Sequence, residues 1–191
     1  MPELAGSKTE QNLLKSFAGE SQARTRYTFF ASQANKDGYK QIQNIFLETA
    51  GNEKEHAERF FKFLEGRPVE ITATYPAGKI GTTEENLEAA AAGENEEHSE
   101  LYPEFARVAK EEGFDEIAKA FEKIAEVEKE HEKRYLKLLN NIREGKVFVR
   151  DEVVRWKCGN CGYVHKGKKA PTTCPACLHD LKYFELKEAN Y

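Results

Sequence analysis

Glu53-Lys54-Glu55-His56 and Glu128-Lys129-Glu130-His131 are two copies of one tetrapeptide, 75 residues apart. On a helix, Glu and His three positions apart share a side, so each copy offers a carboxylate and an imidazole to one ion. Bundles that build a dinuclear iron or manganese site take a Glu-x-x-His from each of two helices and a single Glu from each of the other two. Glu20 and Glu94 stand at the positions for the single glutamates, and Glu97 adds a carboxylate one turn beyond Glu94. Hard carboxylate oxygens suit iron or manganese, and two shared glutamates hold a pair of ions close together with positions left open. One Glu-x-x-His arises readily by chance in a glutamate-rich helix. Two copies in register, with Glu20 and Glu94 on buried stripes, favour metal, because carboxylates buried without it carry a large desolvation cost. A second donor set follows at Cys158-x-x-Cys161 and Cys174-x-x-Cys177, which hold all four cysteines. Four thiolates in tetrahedral array bind zinc or a single iron, and the spacing alone favours a structural zinc ribbon over an iron site.

The elements that must position these groups are legible in the apolar pattern. Ser7-x-x-Glu10 predicts a capping box ahead of a stripe of Leu13, Phe17, Tyr27, Ala31 and Ala34, with Glu20 and Arg24 on the same face. Asp37-Gly38 predicts a helix stop. A second helix buries Tyr39, Ile42, Phe46, Ala50, Phe60 and Leu64, with Glu53 and His56 on its buried stripe and Glu55 facing water, and Gly66-Arg67-Pro68 ends it. Residues 67–82 form a long connection with two prolines and two glycines rather than a tight hairpin. Thr82-x-x-Glu85 predicts another capping box, followed by a helix presenting Leu87, Ala90, Ala91, Phe105 and Val108 together with Glu94 and Glu97. A fourth helix buries Phe114, Ile117, Phe121, Ile124, Tyr135, Leu138 and Ile142, interrupted by Glu128 and His131, and closes at Gly145. The expectation is two helical hairpins joined by a crossover: a mainly α, four-helix bundle of the ferritin-like kind.

The repeat is not perfect. Gly19-Glu20 matches Gly93-Glu94 at an offset of 74, whereas Tyr27, Phe30 and Ala34 match Tyr102, Phe105 and Ala109 at 75. In a regular helix Tyr102 would stand about 80° from Glu94, whereas Tyr27 stands about 20° from Glu20. A π-bulge near Glu97 would return Tyr102 to the face of the carboxylates; a plain kink at Pro103 is the competing reading. Tyr27 and Tyr102 are either core aromatics or hydroxyl donors to the glutamates and substrate. His98 is expected to face sideways or outward and not to bind metal, and Glu84-Glu85 and Glu111-Glu112 read as solvated faces.

A chain of 191 residues with 32% charged and 39% hydrophobic residues fits one ordinary domain plus a small appendage. The net charge of −4 gives no reason to expect nucleic acid as a partner. No apolar run approaches the ~20 residues that span a bilayer, and the N-terminus lacks a signal-peptide pattern, so no membrane partner and a cytoplasmic location are expected. In a reducing compartment paired Cys-x-x-Cys motifs point to metal rather than disulfides. Residues 147–191 change composition to short β-prone runs around the cysteines, a small metal-stapled β domain, with His165 and His179 expected at its surface.

The series Ala18-Gly19-Glu20-Ser21-Gln22-Ala23-Arg24, Glu53-x-x-His56, Gly93-Glu94-x-x-Glu97, Glu128-x-x-His131 and the cysteine quartet, in that order, resembles the rubrerythrin family over nearly the whole chain. The resemblance implies a ferritin-like di-iron bundle over residues 1–146 and a rubredoxin-like domain with one mononuclear iron over residues 147–191. It implies a peroxidase that reduces hydrogen peroxide, with oxidative-stress protection in anaerobes as its role. A di-iron centre, oxo-bridged when oxidised, would be bridged by Glu53 and Glu128 and bound by Glu20, Glu94 and His131. Glu97 would occupy the oxidised state and His56 the reduced one, with Tyr27 and Tyr102 at the site. The four cysteines would hold the iron that relays electrons from a donor, a rubredoxin or an NAD(P)H-dependent reductase. The resemblance also implies a homodimer, head to tail, or a larger homo-oligomer. Two further readings stay open from the residues themselves: a ferroxidase or iron-binding protein, and a structural module with zinc in the tail.

Overall fold

The computed structural model describes residues 2–189. Helix α1 spans Lys8–Lys36, α2 Lys40–Phe61, α3 Thr83–Glu96, α4 Tyr102–Glu111 and α5 Asp115–Arg143. Between α3 and α4 the helix continues as a π turn, Glu97–Leu101. Residues 67–82 carry no regular secondary structure up to the cap of α3, as a crossover joining two hairpins requires. The π turn is the inserted residue expected from the broken repeat: the amide of Tyr102 bonds the carbonyl of Glu97, five residues back. Because the ladder shifts there, α4 buries Tyr102, Ala106 and Ala109, while Phe105 and Val108 are only half-buried.

The ends of the hairpins reveal a symmetry that the motifs alone do not. Asp37 Oδ2 accepts from the amide and hydroxyl of Thr83 at 2.8 and 2.7 Å, capping α3. Glu112 Oε2 accepts from the amide and hydroxyl of Thr9 at 2.8 and 2.6 Å, capping α1. Each hairpin thus caps the other through residues that occupy equivalent places in the repeat. Glu112 is therefore not simply a solvated charge. Gly38 and Gly113, the next residues, have φ of +90° and +84°, the left-handed C-terminal stop that glycine adopts without a Cβ penalty. At Thr82 the reciprocal capping box forms as expected. At Ser7 only half of it forms, because the carboxylate of Glu10 turns instead to the amide of Gly6 and to Arg67. Two further expectations do not hold. Arg24 is exposed, and α2 ends at Phe61, leaving Leu64 in a turn.

The bundle core is split in two. One apolar cluster gathers Tyr27, Phe30, Phe46, Leu87 and Tyr135, and the other Leu13, Phe60, Tyr102, Ile117 and Phe121. Between them lies a band of fully buried glutamates. The C-terminal sheet has the order β2-β1-β3, all antiparallel, with β1 at Val149–Cys158, β2 at Val164–Lys169 and β3 at Phe184–Leu186. Its core is Trp156, Cys158, Cys174 and Phe184, and the indole Nε1 of Trp156 donates to the carbonyl of Gly167 at 3.0 Å. Against the bundle, Phe148 stacks on Tyr39 with ring centroids 6.2 Å apart. No helix among the described residues is long and apolar enough to cross a membrane.

Candidate metal centres

Four helices each deliver one carboxylate to the buried band: Glu20 from α1, Glu53 from α2, Glu94 from α3 and Glu128 from α5, all at most 1% exposed. Each histidine faces both of the glutamates that come from the Glu-x-x-His helices. His56 Nδ1 lies 2.8 Å from Glu128 Oε1 and 3.1 Å from Glu53 Oε2, with Glu20 Oε2 at 3.7 Å. His131 Nδ1 lies 2.7 Å from Glu128 Oε2 and 3.3 Å from Glu53 Oε1, with Glu94 Oε2 at 3.9 Å. Glu53 and Glu128 therefore give one oxygen to each side, which is how a shared carboxylate must sit between two ions. Glu20 serves only the His56 side and Glu94 only the His131 side.

The donor chemistry fits a pair of metal ions. Two donor sets emerge, Glu20–Glu53–His56–Glu128 and Glu53–Glu94–Glu128–His131, each with its ligand atoms within 4.8 Å of one another. Six of these atoms, namely Glu20 Oε2, Glu53 Oε1, Glu94 Oε2, both oxygens of Glu128 and His131 Nδ1, are buried without a hydrogen-bond partner among the described residues. The short Glu128–histidine contacts approach at angles that do not make hydrogen bonds. An orphaned buried polar group costs about 1–3 kcal/mol, so six converging on one place call for cations. The electrostatics agree. Burial, followed by the neighbouring carboxylates, pushes Glu20, Glu94 and Glu97 well above the usual carboxylate range. Burial works against His131 too, yet Glu128 and Glu53 overcome it and raise the imidazole to about 9.

The tyrosines sit crosswise. The hydroxyl of Tyr27 on α1 donates to Glu94 Oε1 on α3 at 2.6 Å, and that of Tyr102 on α4 donates to Glu20 Oε1 on α1. Each terminal glutamate thus has one oxygen tied to a tyrosine of the opposite hairpin and the other free for an ion. Without the π turn Tyr102 would not reach Glu20. Glu97 joins neither donor set: it is half-buried and turned outward, its Oε1 4.0 Å from where a Cβ on Gly19 would stand. His98 packs sideways, Nε2 to Glu132 Oε2 at 2.6 Å, tying the π turn to α5 and standing clear of both donor sets.

In the C-terminal domain, the four cysteines are unpaired and their sulfurs lie within 4.8 Å of one another. Cys158 and Cys177 are 3.8 Å apart and Cys161 and Cys174 3.6 Å, too far for disulfides and right for four thiolates around one ion. The backbone amide of His179 draws the Cys177 thiol down to about 6. His165 and His179 are half-buried rather than at the surface; His179 packs edge-on against Tyr183 with centroids 4.6 Å apart.

A family model described as Rubrerythrin matches residues 11–139, and one described as Rubrerythrin, rubredoxin-like domain matches residues 156–185. The chain belongs to the rubrerythrin family. It is 63% identical over 188 residues to the rubrerythrin of Porphyromonas gingivalis, covering 98% of this chain and 94% of that protein. It is 56% identical over 191 residues to the rubrerythrin of Nitratidesulfovibrio vulgaris, covering all of both chains. Among solved structures it is similar to a mixed-valence state of nigerythrin, with a TM-score of 0.63, 32% identity and coverage of 96% of this chain and 88% of that one. The family places the bundle among ferritin-like di-iron folds of the oxidoreductase type. The carboxylate–histidine cluster is accordingly its di-iron site, and the cysteine quartet its rubredoxin-like iron site.

Some residues around the site carry a weak sequence signal or none. Gln22, Arg26 and Tyr75 line a cavity that opens onto Glu97. Gln22 and Arg26 do share a helical face with Gly19, a spacing of three and four that marks a common wall. Tyr75 sits in the crossover, where no periodicity exists to flag it; its hydroxyl donates to the carbonyl of Lys15 at 2.7 Å.

Proposed function

We propose that this protein is a non-haem di-iron peroxidase that reduces hydrogen peroxide to water, with electrons relayed through the four-cysteine iron. Residues 1–146 form the peroxidase unit and residues 147–191 the relay. The observation that carries the reading is the pair of overlapping donor sets sharing Glu53 and Glu128, in a chain that also holds a one-electron thiolate site. When bound, two ferrous ions supply the two electrons that convert one peroxide and two protons to two waters.

The protein's own groups do the positioning. Glu53 and Glu128 would be shared between the two ions, and Glu20 and Glu94 would each serve one ion, with their other oxygens held by Tyr102 and Tyr27. His131 is a fixed donor. His56 and Glu97 would be alternative donors for the other position, a reading supported by His56 Nδ1 lying within 3.7 Å of three glutamates while Glu97 is turned away. The buried band between two apolar clusters keeps bulk water from the centre, so each charge acts at low dielectric.

The cysteine domain lies at the start of α2, where Asn160 and Gly159 share a cleft with Lys40 and Asn44. Glu53 is nine residues further along that helix, roughly 14 Å at 1.5 Å per residue. Family membership supports a head-to-tail homodimer in which one copy's quartet serves the other's bundle, with a rubredoxin or an NAD(P)H-dependent reductase as the external donor.

The test is anaerobic. Adding one equivalent of hydrogen peroxide to the reduced protein should oxidise both bundle irons at least tenfold faster than an equivalent of dioxygen does, with water as product. Faster oxidation by dioxygen with hydrogen peroxide as product would instead support the ferroxidase reading.

A further inference from the structure

A half-buried arginine and a half-buried glutamate share one cavity beside the metal centre without direct pairing. The cavity, about 410 Å³, lies between the crossover and the bundle, and Gly19, Arg26, Tyr75, Gly93, Glu97 and Tyr102 line it. Among the described residues neither Arg26 nor Glu97 has an oppositely charged side-chain atom within 4.0 Å. Arg26 is nevertheless held in place. Its Nε donates to Gln22 Oε1 at 2.6 Å and its guanidinium lies 5.7 Å from the ring centroid of Tyr27. Both side chains rest against glycines. A Cβ on Gly93 would stand 3.9 Å from Arg26 Nη2, and a Cβ on Gly19 would stand 3.6 Å from Tyr75 Cε1 and 4.0 Å from Glu97 Oε1. These two glycines occupy equivalent places in the repeat, each directly before a terminal glutamate, and the room they leave is where the outward carboxylate lies.

We infer that Arg26 is a positioning residue that holds the Glu97 carboxylate off the metal pair, the guanidinium neutralising it in the cavity while His56 occupies the ligand position. This rests on the Glu97–His56 exchange proposed above and adds the counter-charge that makes the outward position stable. A carboxylate moved from an ion into a half-buried cavity needs a cation there or it returns. Arginine suits the task because its charge is permanent and its fork presents several donors over a range of carboxylate positions. Gln22 leaves the terminal nitrogens free for Glu97 by taking only Nε. Glu96 lines the same cavity and is the competing anion for Arg26.

The test uses the full chain loaded anaerobically with cobalt(II), whose ligand-field absorption reports donor number without any turnover. In Arg26→Gln the proportion of protein with Glu97 on the metal should rise about tenfold, the size expected for a half-buried carboxylate that loses its cation. The absorption should change accordingly, and crystals of the cobalt protein should show Glu97 turned inward. Arg26→Lys should restore most of the native spectrum, which a purely structural role of the arginine would not do. If Arg26→Gln does not fold, Arg26→Lys still decides: it keeps the charge but loses the fork, so a shift of the same sign and smaller size is expected. Spectra of the available Arg26 variants identical to the native one, or the same shift produced by Glu96→Gln, would overturn the assignment. Because cobalt is not turned over, a native protein that fails to reduce peroxide would remove the peroxidase reading and leave this result standing.

Discussion

The two halves of the bundle are built from the same parts, yet they end differently. In the first hairpin α1 runs unbroken through Glu20 and Tyr27, and in the second the equivalent helix is interrupted by the π turn at Glu97–Leu101. Both halves supply a terminal glutamate, a shared glutamate, a histidine and a tyrosine, and both cap the other's first turn. Only the second carries Glu97, and the cavity that receives it lies on the His56 side, against Gly19. Duplication builds a symmetric two-ion cradle, the inserted residue keeps the two tyrosines in equivalent places, and Glu97 is the carboxylate that has no counterpart in the first half. A π turn is costly to keep, since it forfeits regular hydrogen-bond geometry. Here it returns Tyr102 to Glu20, which a straight helix would not allow.

Four substitutions or deletions probe the difference between the halves, in decreasing order of expected effect. Replacing Glu53 or Glu128 by Ala removes a donor from both sets at once, so either variant should lose most of both bundle ions, measured as metal per chain with the cysteine iron as internal reference. Deleting Ser99 should convert the π turn to α-helix and rotate Tyr102 by about 100°. The buried hydroxyl bond to Glu20 would be lost, at a cost of about 1–3 kcal/mol in urea unfolding of the metal-free protein. Tyr102→Phe should approach that loss, and Tyr27→Phe should match Tyr102→Phe closely, because the two bonds are equivalent across the repeat. A large difference between the two phenylalanine variants would show that the π turn does not give Tyr102 a place equivalent to that of Tyr27. Smallest is the cap. Asp37 is exposed, so Asp37→Asn should cost about 1 kcal/mol or less.

That last variant also has a pH signature. Although partial burial opposes it, the bonds from Thr83 hold the Asp37 carboxyl below its ordinary range. A carboxyl with a depressed folded pKa stabilises fully above its unfolded value, near ~4, and loses that contribution as the pH falls through the lower folded value. The difference in stability between native protein and Asp37→Asn should therefore be constant from pH 5 to 7 and shrink below about pH 4.

Most of the cradle was legible because duplication writes the same signal twice. Glu53, His56, Glu128 and His131 stand in register, and Glu20 and Glu94 interrupt apolar stripes where a charge has no other reason to be. Even the π turn was readable, since an offset that changes from 74 to 75 must place an extra residue between Glu94 and Tyr102. What lay hidden depends on contacts between distant segments. Arg26 on an amphipathic helix has the pattern of a solvated charge, and Arg24 was the one that periodicity favoured. Tyr75 belongs to a crossover with no repeat and no period. Glu112 sits in a run of charges whose pattern cannot show that one member reaches across to cap α1. The half-buried Phe105 and Val108 follow from the π turn: once the ladder slips by a residue, the apolar stripe no longer projects along a straight helix.

In the proposed mechanism the two positions of the cradle differ because Glu97 can replace His56 and nothing can replace His131. The metal content of the oxidised His56→Ala and His131→Ala proteins tests it most directly. His56→Ala should retain close to two ions per bundle, with Glu97 in the vacated place, whereas His131→Ala should retain about one. Equal loss in the two variants would contradict the account.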